Sequence, residues 1–241
     1  MALLESFRKT EMGRWKEEFE EYRVKIEKIL KMIDDRNETF YPSPENVFKS
    51  FEKTPLEKVK VVVWGQDPYP SLLDDGTPRA QGYAFGVSKK DFVPKSLQNI
   101  YKEIKNNFDF FVAPTHGDLT WLTDQGILFI NTSFTYCPEN PKGHLNLWTR
   151  FIHIVIKIIN KNIKSCIHVM WGKQCEKLRD LITSPEILTA AHPSPLSAYR
   201  GFFGCNHFKQ INITLDRQEK TQINWNENLT LKPTFVISKK A

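Results

Sequence analysis

Long apolar runs are missing. Nothing in the 241 residues approaches the ~18 consecutive apolar residues that a membrane-spanning helix needs. The opening stretch, MALLESFRKTEMGRW, has no apolar core followed by small residues. No secretory leader is therefore expected, and a cytoplasmic protein (or a nuclear one in a eukaryote) is. Cysteine is scarce: Cys137, Cys166, Cys175 and Cys205 stand far apart with no CxxC pair. That excludes zinc-finger and iron–sulfur spacings and leaves reduced thiols as the expectation. Glycine-rich phosphate loops are lacking too, since neither GxxxxGKS/T nor GxGxxG follows any strand-like run. No second histidine or carboxylate sits at helical spacing beside a candidate ligand, so neither a metal site nor any other cofactor is expected. Internal repeats and low-complexity tracts are absent as well.

What is present reads as an ordinary globule with a real core: 40% apolar and 26% charged residues. Lys and Arg number 34 against 28 Asp and Glu, a formal charge of +6 that is compatible with a polyanionic partner without requiring one. Trp15, Phe19, Tyr22, Ile26, Ile29 and Ile33 recur at three-and-four spacing and predict one amphipathic helix over residues 14–33. In YPSPENVFKSF, Ser43 is an N-cap candidate with Pro44 at the first helical position. VKVVVWG, ending at Gly65, then predicts a strand buried on both faces. GILFIN (126–131), SCIHVMWG (165–172) and EILTAAH (186–192) look alike. Helical patterns intervene from Ser96, from near Trp148 and after Gly172. Strands alternating with helices predict an α/β fold, a three-layer α/β/α sandwich around a four-stranded parallel sheet. One domain over residues 1–241 is expected, with residues 1–40 as a helical N-terminal extension and residues 226–241 as a loosely attached tail.

In an open parallel sheet, ligands bind beyond the carboxyl ends of the strands. Those ends carry Gln66-Asp67-Pro68-Tyr69, Asn131, Gly172-Lys173 and His192-Pro193-Ser194, so topology alone gathers them at one edge. An Asp–His pair without a strong nucleophile suits activation of water or stabilisation of charge during hydrolysis. Pro68 and Pro70 each fix a φ angle beside Asp67, and Pro193 biases His192 to extended backbone. Plainer readings stand beside these. Asp67 would also serve as a solvated turn residue, and His192 as a structural hydrogen-bonder. Phe85 would equally be core packing in a strand-like GYAFGV, and His168 reads as a core histidine. Spacing alone reaches a hydrolase-like site with an unnamed substrate.

The chain resembles the family 1 uracil-DNA glycosylases over roughly residues 40–225. The likeness is carried by VVVWGQDPY (61–69), GYAFGV (82–87), VPKSLQNIYKEI (93–104), HGDLTWLTDQGILFIN (116–131), MWG (170–172) and HPSPLSAYRGFFGCNHF (192–208). It implies hydrolysis of the bond between uracil and deoxyribose, with the nucleotide flipped out of the stack. By the resemblance, Asp67 positions the attacking water and stabilises an oxocarbenium-like sugar. His192, as a neutral imidazole, donates to uracil O2, and Asn131 reads N3–H and O4. Tyr69 stands against C5, Phe85 stacks on the ring, and the Gln66 backbone helps hold the base. Leu196 fills the gap left in the stack, while Ser96, Ser194 and Ser197 meet phosphates and Arg200 and Lys173 add charge. The implied partner is uracil-containing DNA, single- or double-stranded. No membrane is involved, and a monomer without cofactor is expected. Nothing in the residues points to a replication clamp or an inhibitor protein as a further partner.

The chain departs from the family pattern at three places. Pro70 stands where a histidine is usual, the loop SLLDDGTPRAQ is longer and brings Asp74 and Asp75, and Lys173 stands where serine is common. In the family that histidine lies near the DNA backbone, so one polar contact is lost, and Lys173 is expected to replace part of it through a phosphate. Two other functions compete: a non-catalytic DNA-binding module, countered by the retained Asp67 and His192, and a glycosylase of broader range, countered for thymine by Tyr69.

Overall fold

β-branched residues are stiff at χ1 and pack well on a pleated surface, so runs of them extend. In the computed structural model, which describes residues 2–227, four such runs form the strands β1 (Val61–Gly65), β2 (Ile127–Asn131), β3 (Ile167–Trp171) and β4 (Ile187–Ala190). All pair in parallel in the order β2-β1-β3-β4. The register sets Gly65 opposite Asn131, Trp64 opposite Met170 and Trp171 opposite Ala190, so the carboxyl ends are level. Every residue of β1 and β3 is buried, as a strand covered on both faces must be.

Alternation along the strands divides the core in two. Val62, Trp64, Leu128, Ile130 and Met170 point to one face. There they meet α1 (Ala2–Lys9), α2 (Arg14–Glu20), α3 (Arg23–Asp34), α4 (Lys49–Lys53) and α7 (Leu145–Asn162). Val61, Val63, Ile127, Phe129, Ile167, Val169 and Trp171 point to the other face. These are covered by α5 (Lys95–Asn107), α6 (Thr120–Thr123) and α9 (His207–Arg217). α8 (Lys173–Glu176) is a single turn that starts straight after β3 and buries Cys175 on the first face. The expected three-layer α/β/α sandwich is what forms.

Four local expectations change. The helix expected over 14–33 is broken at Glu21 and Tyr22, which lets Trp15 and Phe19 of α2 and Ile26, Ile29 and Ile33 of α3 enter the same core. α1 precedes them, with its Leu3 and Leu4 N–H groups donating to the Asp34 carboxylate (3.0 and 3.2 Å), so the N-terminal region is part of the core. GYAFGV is a turn rather than a strand, because Phe85 takes a left-handed φ of 65°. The tail expected to be loose from residue 226 is anchored at its first two positions. Asn226 is buried and donates to the Phe110 carbonyl (2.9 Å), and Glu227 meets His116 at 3.1 Å. Residues 228–241 lie outside the described region. No helix among the described residues is long and apolar enough to cross a membrane.

Candidate active site

At the carboxyl edge of the sheet lies a cavity of about 120 Å³ whose lining includes Gln66, Asp67, Tyr69, Phe85, Ser96, Asn131 and His192. A cavity on the order of 150 Å³ holds a benzene molecule. The space therefore matches one six-membered ring. Asp67, Asn131 and His192, 125 positions apart from first to last in sequence number, face that single space.

Main-chain pairing that runs on past the strand ends sets the first two. The Gly65 carbonyl accepts from Thr132 N–H (2.9 Å), and the Gln66 carbonyl accepts from Ser133 N–H (3.0 Å) and Thr132 Oγ1 (2.8 Å). Asp67 follows directly on this tied segment. Asn131 needs Gly65 as its neighbour: a Cβ there would lie 2.2 Å from Asn131 Oδ1 and 2.7 Å from Ala84 Cβ. The carboxamide thus rests against bare backbone, with its amide plane held from one side.

Phe85 closes another wall. Its ring contacts Trp171 (centroids 5.5 Å apart, 63° between planes) and His192 (5.8 Å, 41°). Its left-handed backbone costs about 1–3 kcal/mol in a non-glycine residue, a cost that the surroundings must offset. Part of that offset is the Tyr69 hydroxyl, which donates to the Phe85 carbonyl (3.0 Å) and so fixes the Tyr69 ring as well.

His192 has its tautomer set by geometry. The Ser194 N–H donates to Nδ1 (3.0 Å), and a backbone N–H can only donate, so Nδ1 carries a lone pair and the ring proton of the neutral form is on Nε2. Burial pushes its pKa below the usual histidine value, which favours that neutral form. The segment behind it is pinned. Ser197 Oγ donates to the His192 carbonyl (2.8 Å), and Asn99 of α5 donates to the Pro193 carbonyl (2.8 Å). Gly172, with φ of 96°, leaves room for the ring, since a Cβ there would sit 3.1 Å from His192 Cβ. Asp67 is open to solvent on one side, yet lost hydration still raises its carboxyl above the ordinary value, against the effect of a Gln66 side-chain hydrogen bond.

A sequence profile of the uracil DNA glycosylase superfamily matches residues 51–216. The chain belongs to that superfamily. The uracil-DNA glycosylase of Buchnera aphidicola subsp. Cinara cedri is 44% identical over 193 residues, which cover 79% of this chain and 83% of the relative. That of Shewanella oneidensis is 43% identical over 188 residues, 77% and 84% of the two chains. Among solved structures, mimivirus uracil-DNA glycosylase superposes with a TM-score of 0.81 at 30% identity, covering 88% of this chain and 86% of its own. A variant of the mimivirus protein solved in complex with UGI gives 0.80 at 31% identity, with 88% and 87% covered.

Seven residues expected from the likeness to this superfamily line the cavity together: Gln66, Asp67, Tyr69, Phe85, Asn131, His192 and Ser96. The other five lie outside its lining. Ser194, Leu196 and Ser197 sit on the loop that follows β4, Arg200 ends the short 3-10 turn Ala198–Arg200 beyond it, and Lys173 is the exposed first residue of α8. The loop 71–81 folds back on itself with Leu72 bridging Pro78 and brings Ala80 to the cavity. Sequence reasoning missed Tyr83, which also lines the cavity, and the supporting roles of Gly65 and Asn99. The glycine at the strand end was a visible signal for the first of these supports. Nothing local announced the second. His168 is the core histidine expected: its Nδ1 accepts from Trp64 Nε1 (3.1 Å), and burial lowers its pKa to about 4. No three His, Cys, Asp or Glu side chains among the described residues cluster as metal ligands do.

Proposed function

We propose that this chain hydrolyses the N-glycosidic bond of deoxyuridine in single- and double-stranded DNA, releasing uracil and leaving an abasic site. The observation that carries the reading is the single ring-sized cavity shared by Asp67, Asn131 and His192. A base inside a duplex is out of reach of such a cavity, so the nucleotide is flipped into it. Leu196 enters the gap left in the stack. The bond from C1′ to N1 breaks with its electron pair going to uracil, a water oxygen bonds to C1′, and the proton which that water loses ends, through solvent, on the uracil anion, so that neutral uracil leaves. Asp67, ionised, orients that water and faces the positive charge that develops on the sugar. His192 meets the negative charge on uracil O2 with its Nε2–H, the one ring hydrogen its tautomer supplies. A well-aimed donor of this kind is worth roughly 3 kcal/mol of barrier.

Selection among bases follows from the walls. The Asn131 carbonyl accepts from N3–H and its NH2 donates to O4, the reverse of what cytosine offers. Tyr69, held through Phe85, leaves no space at C5 for the thymine methyl, an overpacking cost of about 1–3 kcal/mol or more. Phe85 stacks on the ring, and the Gln66 backbone contacts its edge. Ser96, Ser194 and Ser197 contact phosphates, as do Arg200 and Lys173. Such contacts position DNA without reading its sequence. All these residues lie in one chain, so a monomer working as a single domain suffices, in the cytoplasm or nucleus where DNA is held.

Uracil release from a uracil-containing oligonucleotide tests the proposal. Wild type is expected to release the base. Asp67→Asn and His192→Ala are each expected to lose at least about 100-fold in turnover while keeping the wild-type melting behaviour within a few degrees. Wild-type rates in both variants would overturn the assignment. Binding of DNA without any release would favour a non-catalytic module instead.

A further inference from the structure

Among the described residues, the most exposed large apolar side chains are Leu196 (86%), Phe92 (82%), Tyr199 (79%) and Val24 (77%). Isolated exposed hydrophobics are common and need no explanation. Here, however, three of the four belong to two loops that flank one cavity. Leu196 and Tyr199 lie on the segment after His192, and Phe92 lies on the segment that enters α5. The two segments are tied by the Asn99–Pro193 hydrogen bond at 2.8 Å. Tyr199 has a ring partner, Phe203 at 5.1 Å, with Lys102 Nζ 5.9 Å from its centroid. Phe92 has no ring partner among the described residues.

The loop beneath Phe92 is built to display it. Asp91 is buried, pairs with Arg79 at 3.3 Å and accepts from the Phe92 N–H (2.7 Å), so the backbone is anchored exactly one residue before the exposed ring. Of the neighbouring lysines, Lys89 is drawn toward Asp118 and Glu227 at 3.9 and 4.0 Å. Lys90 and Lys95 remain exposed on either side of Phe92. Phe92 stands four residues before Ser96, which lines the cavity, so the two Cα atoms lie at most ~14 Å apart. At ~3.4 Å per nucleotide along a strand, that distance spans no more than about four nucleotides.

An aromatic ring between cations, a few nucleotides from the reacting base, is the arrangement that single-strand binding surfaces use: cations follow the phosphates while bases stack on the ring. We propose that Phe92 is a stacking platform for an unpaired DNA base close to the uracil, with Lys90 and Lys95 taking adjacent phosphates. The proposal rests on the glycosylase reading and adds to it a contact that only an unpaired base can use. Duplex bases are already stacked on their neighbours, whereas an unpaired base gains a partner.

The test uses the full chain and its variants Phe92→Ala, Phe92→Leu and Phe92→Trp, with Val24→Ala as a control of similar exposure on α3. Because residue 92 is in solvent, none of these changes touches the core. Uracil release is measured on a single strand of about 12 nucleotides, within the usual span of such sites, and on the matching duplex. Phe92→Ala and Phe92→Leu are expected to raise KM on the single strand by about fivefold or more, the loss falling on KM more than kcat, with much less effect on the duplex. Phe92→Trp should restore the wild-type value, and Val24→Ala should leave it unchanged. A KM for Phe92→Ala equal to that of Val24→Ala, full rescue by leucine, or equal losses on both substrates would overturn the proposal. A separate reading comes from binding of a thymine-containing single strand with 2-aminopurine near its centre. Wild type but not Phe92→Ala should quench the fluorescence by stacking. Should wild type release no uracil, the glycosylase reading fails on that result, and the stacking platform stands or falls on the quench alone.

Discussion

Lost hydration acts on Asp67 and His192 in opposite senses: it raises the first and lowers the second. For His192 the folded state binds its proton less readily than the unfolded chain does. Its contribution to stability is therefore present above the unfolded value near ~6.5 and is lost as pH falls from there toward the lower folded value. Protonation at Nδ1 would also break the bond from Ser194 N–H. For Asp67 the folded pKa lies above the unfolded one, so ionisation costs stability, a cost that appears as pH rises past the unfolded value near ~3.9. Two outcomes follow at this scale. Asp67→Asn should melt slightly higher than wild type at pH 7 while losing activity, and the gain should vanish in acid below the ordinary carboxylate range. In addition, kcat/KM should stay level as pH falls through ~6.5 and decline only below it. An acid limb centred on ~6.5 would mean an imidazole with its ordinary pKa, against the burial seen here.

Elements decide where these groups meet, and α5 does more than cover the sheet. Its first turn brings Ser96 to the cavity, and one turn later Asn99 holds the Pro193 carbonyl. Asn99→Ala would leave that carbonyl without its partner, a loss of about 0.5–1.5 kcal/mol, and would loosen the loop that presents Leu196. Uracil release should then fall more on duplex than on single-stranded substrate, since only a paired base has to be displaced. Equal losses on both would show that the bond serves general stability. This link joins positions 94 apart in sequence, so no local pattern could announce it. What the sequence did reveal had a local cause. The four strands are β-branched runs, and their carboxyl ends converge because parallel strands share a direction, so seven of the cavity's lining residues were legible from topology and motif together, while Tyr83 was not. Failures came where tertiary packing overrode a local pattern. Apolar spacing continues unbroken through Tyr22, yet the chain turns there to bring both halves into one core. GYAFGV alternates as a strand would, but the wall it forms needs Phe85 in a conformation that no strand contains.

At the scale of the whole molecule, residues 2–34 are structural. Leu3, Phe7, Trp15, Phe19, Ile26, Ile29, Leu30 and Ile33 are buried in the same cluster as Phe51, Trp148 and Phe151, with the Trp15 and Phe51 rings 4.9 Å apart. Trp15 Nε1 also donates to the Thr54 carbonyl (2.9 Å), in the segment that leads into β1. Burying one such side chain is worth about 1.5–3 kcal/mol, so the eight together contribute on the order of 10 kcal/mol or more. That equals or exceeds the whole net stability of a typical domain, about 5–15 kcal/mol. Removing residues 1–34 should therefore abolish cooperative folding rather than trim an appendage, and a circular-dichroism melt would register the loss of a transition. The cavity lies on the far side of this argument, since none of its lining residues comes from the first 34. A shortened chain that still melted cooperatively and released uracil would make the N-terminal helices a separable module. It would also mean that the sheet face bearing Trp64 and Met170 finds enough cover in α4, α7 and α8 alone.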